Sequence, residues 1–148
     1  YTNMENCVVL GRGYNHSTIH EWSLKLTELA NILAEPYSTA DFLHGPISKL
    51  KNGYQVFTIA PTGLGCKPLL ELLKDLIIKH NIELLSISNH DDVISISKGL
   101  IKIPKNIPEF LSPIVSIIPA QLFTYQLTRL KGLDTENPQG LNKITETY

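Results

Sequence analysis

The sequence predicts an α/β protein, a three-layer α/β/α sandwich built around a parallel sheet. Short β-branched or leucine-rich runs recur with little polar/apolar alternation, as in strands covered on both faces. Segments of helical periodicity lie between them. The two kinds alternate along the chain, the pattern of β-α-β units and parallel pairing. At 148 residues the chain is most simply one domain. A domain of this size buries about 70% of the surface its unfolded chain exposes, so it needs no disulfide or metal to hold it.

Taken in order, CVVLGRG (7–13) is a buried strand that runs into a Gly-Arg-Gly turn. A helix is predicted from about Ser17 to Leu33. YQVFTIAP (54–61) is a second strand, and KPLLELLKDLIIKHN (67–81) a second helix with Pro68 in its first turn. IELLSIS (82–88) and GLIKIP (99–104) are further strands. The last helix is expected from about Pro108 to Leu130, with Gly132 placed to end it. Its most apolar part, Ile107–Leu122, is interrupted by Pro108, Pro113, Pro119 and Glu109, and so is expected as a buried core helix and not a membrane span.

Formal net charge is −1 and the pI about 6.6. Neither fits a general binder of nucleic acid or of membrane surfaces. Cys7 and Cys66 show no metal-ligand spacing, which points to a reducing, cytoplasmic setting. No basic n-region with a cleavage site stands at the start of the sequence, so a secretory signal is not expected; the sequence starts at Tyr1, and we expect it to be part of something longer. No P-loop, GxGxxG, HExxH or GxSxG motif calls for a cofactor or metal.

In open parallel sheets ligands collect at the carboxyl ends of the strands. That directs attention to GRGYN (11–15) and to segments folding over the same edge. A lone GxG ahead of a helix can cradle an anion through backbone N–H groups, but it reads first as a tight turn. On the first helix, Ile19, Trp22, Leu26, Leu29 and Leu33 form the apolar stripe, and His20, Ser23, Thr27 and Asn31 the solvated one. Glu21, Lys25 and Glu28 fall on a third face. Such a row is either an ordinary ladder of ion pairs, each worth about 0.2–0.5 kcal/mol, or a wall on which a neighbouring charge and partial burial tune a general base. His44 precedes Gly-Pro in a sharp turn and carries the side chain best suited to proton transfer near neutral pH. Lys143, in a polar tail broken by Gly132, Pro138 and Gly140, is by itself a solvated lysine.

Taken together, GRGYNHSTIHEWSLKLTEL, AEPYSTADFLHGP and IPAQLFTYQLTRLKGLDTENPQGLNKITET resemble the sugar isomerase (SIS) domain. More narrowly they resemble its second copy in two-SIS-domain phosphosugar enzymes: the isomerase half of glucosamine-6-phosphate synthase, the related glucosamine-6-phosphate deaminases, and the fructosamine-phosphate deglycases. The strong motifs are the E-x3-K-x2-E helix, HGP, and the D-x3-P-x2-L-x-K tail. The resemblance implies a flavodoxin-like SIS domain over 1–131 and a catalytic tail or lid over 132–148. It implies that Glu28 moves a proton between C1 and C2 of an open-chain sugar phosphate, with Glu21 and Lys25 on the same wall and Lys25 beside the enediolate oxygen. It gives His44 the opening of the sugar ring, across a dimer interface in relatives, and Lys143 a Schiff base with the ketose. No cofactor and no metal are implied.

Two departures shape the expectation. The family's Ser/Thr-rich phosphate loop has no counterpart here, so a missing N-terminal SIS domain is expected to seat the phosphate, and the isolated half is expected to be inactive. The contexts FLHGP and KITET are closer to the stand-alone deaminases and isomerases than to the synthase. The function expected is thus isomerisation or deamination of an aminosugar or ketosamine 6-phosphate, by a homodimer or tetramer joined through SIS domains. The alternatives are the isomerase domain of a glutamine-fructose-6-phosphate aminotransferase, a phosphosugar-binding regulatory module, and a domain that only dimerises.

Overall fold

A computed structural model describes residues 1–138 and Gly140. Five parallel strands, β1 (Asn6–Gly11), β2 (Leu33–Tyr37), β3 (Gln55–Ile59), β4 (Glu83–Ser88) and β5 (Gly99–Lys102), lie in the order β2-β1-β3-β4-β5. The helices are α1 (His16–Ala30), α2 (Thr39–Leu43), α3 (Cys66–His80), α4 (Asp91–Ile96) and α5 (Ser112–Leu130). Side chains alternate across each strand, which builds two cores. On one face Cys7, Val9, Phe57, Leu85 and Ile87 pack with Ile19, Trp22 and Leu26 of α1 and with Ala120 and Leu127 of α5. On the other Val8, Leu10, Val56 and Leu84 pack with Leu69, Leu73 and Leu76 of α3, Phe42 of α2 and Val93 of α4. The α/β/α sandwich is therefore as expected.

Three expectations are corrected. The first helix ends at Ala30, not Leu33. Asn31 adopts φ 52° and stops it, a left-handed cap that asparagine tolerates better than most residues. Leu33 then opens β2, 63% exposed, instead of completing the apolar stripe. Pro36 is admissible there because β2 is an edge strand, where a missing N–H breaks little. Second, Ser23 is buried, not solvated. Third, α5 is not a buried core helix. It begins at Ser112 after a short turn over Glu109–Leu111, and it leaves Ile114, Ile118 and Leu122 exposed.

The aromatic group between the sheet and its α1/α5 layer is closely set. Trp22 stacks on Phe57 with ring centroids 5.2 Å apart, and Phe123 of α5 meets both rings edge-on at 5.9 and 5.5 Å. Such pairs add about 0.5–1.5 kcal/mol each beyond the area they bury. Burial also pushes the Cys7 thiol up to about 12 and that of Cys66 up to about 11.

Two outcomes follow. Trp22→Ala is expected to cost about 3–5 kcal/mol, read from urea unfolding. Neither cysteine should react with a thiol reagent at pH 8 in the folded protein, whereas both should react after unfolding.

Candidate functional site

The turn after β1 is built tightly. A Cβ on Gly11 would lie 2.6 Å from Ile19 Cγ2, so this glycine lets α1 come close, while Gly13 holds φ 61°, a left-handed conformation glycine adopts without strain. Arg12 Nη1 donates to Thr39 Oγ1 at 2.6 Å, tying the turn to α2. Asn15 Nδ2 donates to Ser112 Oγ at 2.7 Å, tying it to the start of α5. GRGYN thus serves as a tight turn that fastens three elements at the carboxyl edge of the sheet.

An anion does sit at a helix start on this edge, but it belongs to the protein. The Glu109 carboxylate accepts from the N–H groups of Leu64 and Gly65 at 3.0 and 3.3 Å, ahead of α3. A negative group is favoured there by the helix dipole and the unpaired donors. Gly63 leaves room for it, because a Cβ at that position would overlap the Glu109 side chain. Sequence alone gave no sign of this contact. Glu109 is far along the chain from the loop it caps, and no local pattern links them. On the same edge Asn89 Oδ1 accepts from Thr62 N–H and its Nδ2 donates to Pro104 O, both at 2.8 Å.

The structure brings Glu21, Lys25 and Glu28 together. Lys25 Nζ lies 2.7 Å from Glu28 Oε2 and 3.9 Å from Glu21 Oε1. All three side chains are partly buried on the third face of α1, between the core stripe and open solvent. The hydrogen bond to Glu28, with the two negative charges, holds the Lys25 ammonium above the ordinary lysine range, against the opposing effect of partial burial. Glu21 also lines an open groove of about 580 Å³ along α1 and β2, with His20, Leu24, Thr27 and Pro36.

The other two expected site residues lie elsewhere. α1 runs back antiparallel to the strands, and Leu33, just beyond its end, pairs with Asn6 at the start of β1. Glu28 is therefore near the amino edge of the sheet. His44 caps the end of α2, which follows the carboxyl end of β2; it is exposed, with Gly45 at φ 141° making the sharp bend. Within one chain His44 is not brought to Glu28. Lys143 lies outside the described residues. The described start of the tail turns back on α5: Gly132 holds φ 73°, Leu133 N–H donates to Thr128 O at 3.1 Å, and Asp134 Oδ1 accepts from the N–H groups of Glu136 and Asn137. Among the described residues no three His, Cys, Asp or Glu side chains gather as a metal would require.

Comparison with known proteins gives a consistent result. The family model described as "SIS domain" matches residues 1–130. A glutamine–fructose-6-phosphate aminotransferase (isomerizing) from Pyrococcus horikoshii is 34% identical over 134 residues, which are 90% of this chain and 22% of that protein. Among solved structures, the C-terminal domain of glucosamine-fructose-6-phosphate aminotransferase from Francisella tularensis superposes with TM-score 0.80 at 24% identity, over 90% of this chain and 38% of that one. Glucosamine-6-phosphate deaminase from Thermotoga maritima gives TM-score 0.70 at 24% identity, over 95% and 40%. The structural likenesses show the fold. The chain spans less than a quarter of the Pyrococcus relative's length.

The ion pair yields a signed prediction. A lysine raised above its unfolded value stabilises the fold fully below the ordinary lysine range and loses that contribution as pH rises through the folded-state value. Glu28→Gln should therefore bring the Lys25 pKa down toward the ordinary lysine value, followed by NMR of the labelled lysine side chains. Glu21→Gln should have a smaller effect.

Proposed function

The chain belongs to the SIS domain family, and on that premise we propose that it is the isomerase or deaminase half of an enzyme acting on an aminosugar or ketosamine 6-phosphate. The observation that carries this reading is the Glu21–Lys25–Glu28 row, with Lys25 held 2.7 Å from Glu28, in a chain whose family match runs over residues 1–130. Interconversion of aldose and ketose passes through an enediol or enolamine, so one base must reach both C1 and C2 on one face. Glu28 is that base. A positioned carboxylate supplies about 10²–10⁴-fold through proton transfer. Lys25 steadies the charge that develops on the enediolate oxygen.

In this reading His44 opens the sugar ring and is supplied by a second copy, which fits its distance along the fold from Glu28. Lys143 adds to the ketose carbonyl as a free amine, loses water to form an imine, and is released by hydrolysis. The tail over 132–148 then acts as a lid, the phosphate is held by an N-terminal SIS domain of the longer protein, and the whole works in the cytoplasm as a dimer or tetramer. The Pyrococcus relative is named an aminotransferase, which supports the isomerase half of such an enzyme as much as a deaminase. A regulatory sugar-phosphate sensor is the less favoured reading, since a sensor has no need of the Glu28, His44 and Lys143 set.

The test is proton NMR of the full-length protein with glucosamine 6-phosphate in D₂O. Deuterium at C2, with fructose 6-phosphate and ammonia formed together, is expected for a deaminase; exchange without ammonia release indicates the isomerase half alone. Glu28→Gln should lower exchange about 100-fold or more while sugar-phosphate binding stays near normal. Unchanged exchange would remove Glu28 as the base. Borohydride in the presence of a ketose 6-phosphate should attach the sugar to Lys143, and a label on another lysine would contradict its role.

A further inference from the structure

His44 stands on a short exposed bridge that is anchored at both ends. Phe42 before it and Leu50 after it are buried in the same core, while Leu43, His44 and Gly45 are exposed. Each half of the bridge is fixed separately. Ahead of His44, Ser38 Oγ caps α2 by accepting from Asp41 N–H at 3.2 Å, and Arg12 holds Thr39. His44 N–H then donates to Asp41 O at 3.2 Å. Beyond it the chain enters a 3-10 turn over Pro46–Lys49, closed by Ser48 N–H donating to Gly45 O at 3.0 Å.

That turn ends on an ion pair that spacing in the sequence does not suggest. Lys49 Nζ lies 2.7 Å from both carboxylate oxygens of Glu35, a residue of β2. Tyr37 O–H donates to Glu35 Oε1 at 3.2 Å, and the Tyr37 ring lies 5.8 Å from that of Phe42. Glu35 is in register with Val8 of β1, so the carboxylate is carried by the sheet and not by a loop. We infer that Glu35 and Lys49 are positioning residues, through which the sheet fixes the His44-Gly45-Pro46 turn and presents His44 outward in one orientation. An exposed pair of this kind adds little to stability, and holding a long lysine in one geometry costs side-chain entropy. What it supplies is position. A side chain offered to a site outside its own layer has no packing around it, so its backbone must be held from behind. A misplacement of about 1 Å in a reacting group can cost about 100-fold in rate. The inference rests on the ring-opening role proposed above for His44, and adds to it the residues that aim that side chain.

The test compares a substrate that closes into a ring with one that cannot. Fructose 6-phosphate is mostly cyclic, whereas 5-deoxyfructose 6-phosphate lacks the hydroxyl that closes the ring and stays open. Deuterium uptake at C1 of each is followed by NMR in D₂O, using the full-length protein with ammonium chloride present. Lys49→Met keeps the stem of the side chain and removes its charge. It should slow exchange of the cyclic ketose about 10-fold or more and leave the open-chain ketose unchanged. Lys49→Arg, which can still meet both oxygens of Glu35, should restore the rate. His44→Ala should show the same selectivity for the cyclic ketose. Equal slowing of both ketoses by Lys49→Met would mean a merely structural role and overturn the inference. So would no slowing at all, with His44→Ala still selective; either result leaves the ring-opening role standing. A His44→Ala variant that affects both ketoses alike, or a wild type that exchanges neither, would remove that role and the inference with it.

Discussion

The stacking of Trp22 on Phe57, closed by Phe123, fixes where everything on one side of the sheet must lie. It sets α1 at one height and one rotation over β1 and β3, with Ile19 and Leu26 above and below the indole in the same core. Once that rotation is set, the remaining faces of α1 have no freedom. The row of Glu21, Lys25 and Glu28 can turn neither into the core nor fully into water, so it stays partly buried and paired. The chemistry proposed for the chain depends on this half-way placement, because a base needs reduced hydration without losing access to substrate.

Most of the fold was legible because the strands and the two long amphipathic helices follow simple periodicity. The failures have physical causes. The run from Ser17 to Leu33 continues to look helical past its end, and only the ability of Asn31 to adopt a left-handed conformation separates helix from strand. β2 is short, carries Pro36 and lies at an edge, so it has none of the composition of a central strand. α2 and α4 are too short for a periodic signal. α5 misled because apolar composition says nothing about which apolar residues face inward: Phe123 and Leu127 pack into the layer beside the small Ala120, while Ile114, Ile118 and Leu122 are left exposed.

The site was legible to a different degree. Glu21, Lys25 and Glu28 are neighbours on any helix, so their association follows from spacing, though whether they form a working site or an ordinary ion-pair ladder does not. His44 sits in a sharp turn, as Gly45 and Pro46 require, but spacing cannot tell how far a turn lies from a helix in another layer. The Glu109 contact was invisible, since it joins two loops brought together only by the finished sheet. That contact also changes the reading of the carboxyl edge. Where a parallel α/β sheet ordinarily offers a helix start to a ligand, this chain already presents its own carboxylate.

The account therefore rests on substrate meeting the α1 wall near the amino edge, in preference to the loops at the carboxyl edge. The most direct measurement is a crystal structure of the full-length protein with an open-chain ketose 6-phosphate analogue. The account predicts C1 and C2 of the analogue within hydrogen-bonding reach of the Glu28 carboxylate, with Lys25 beside the O2 atom. An analogue held instead between Arg12 and the Gly63–Gly65 loop, with Glu109 displaced and Glu28 still paired only with Lys25, would contradict it.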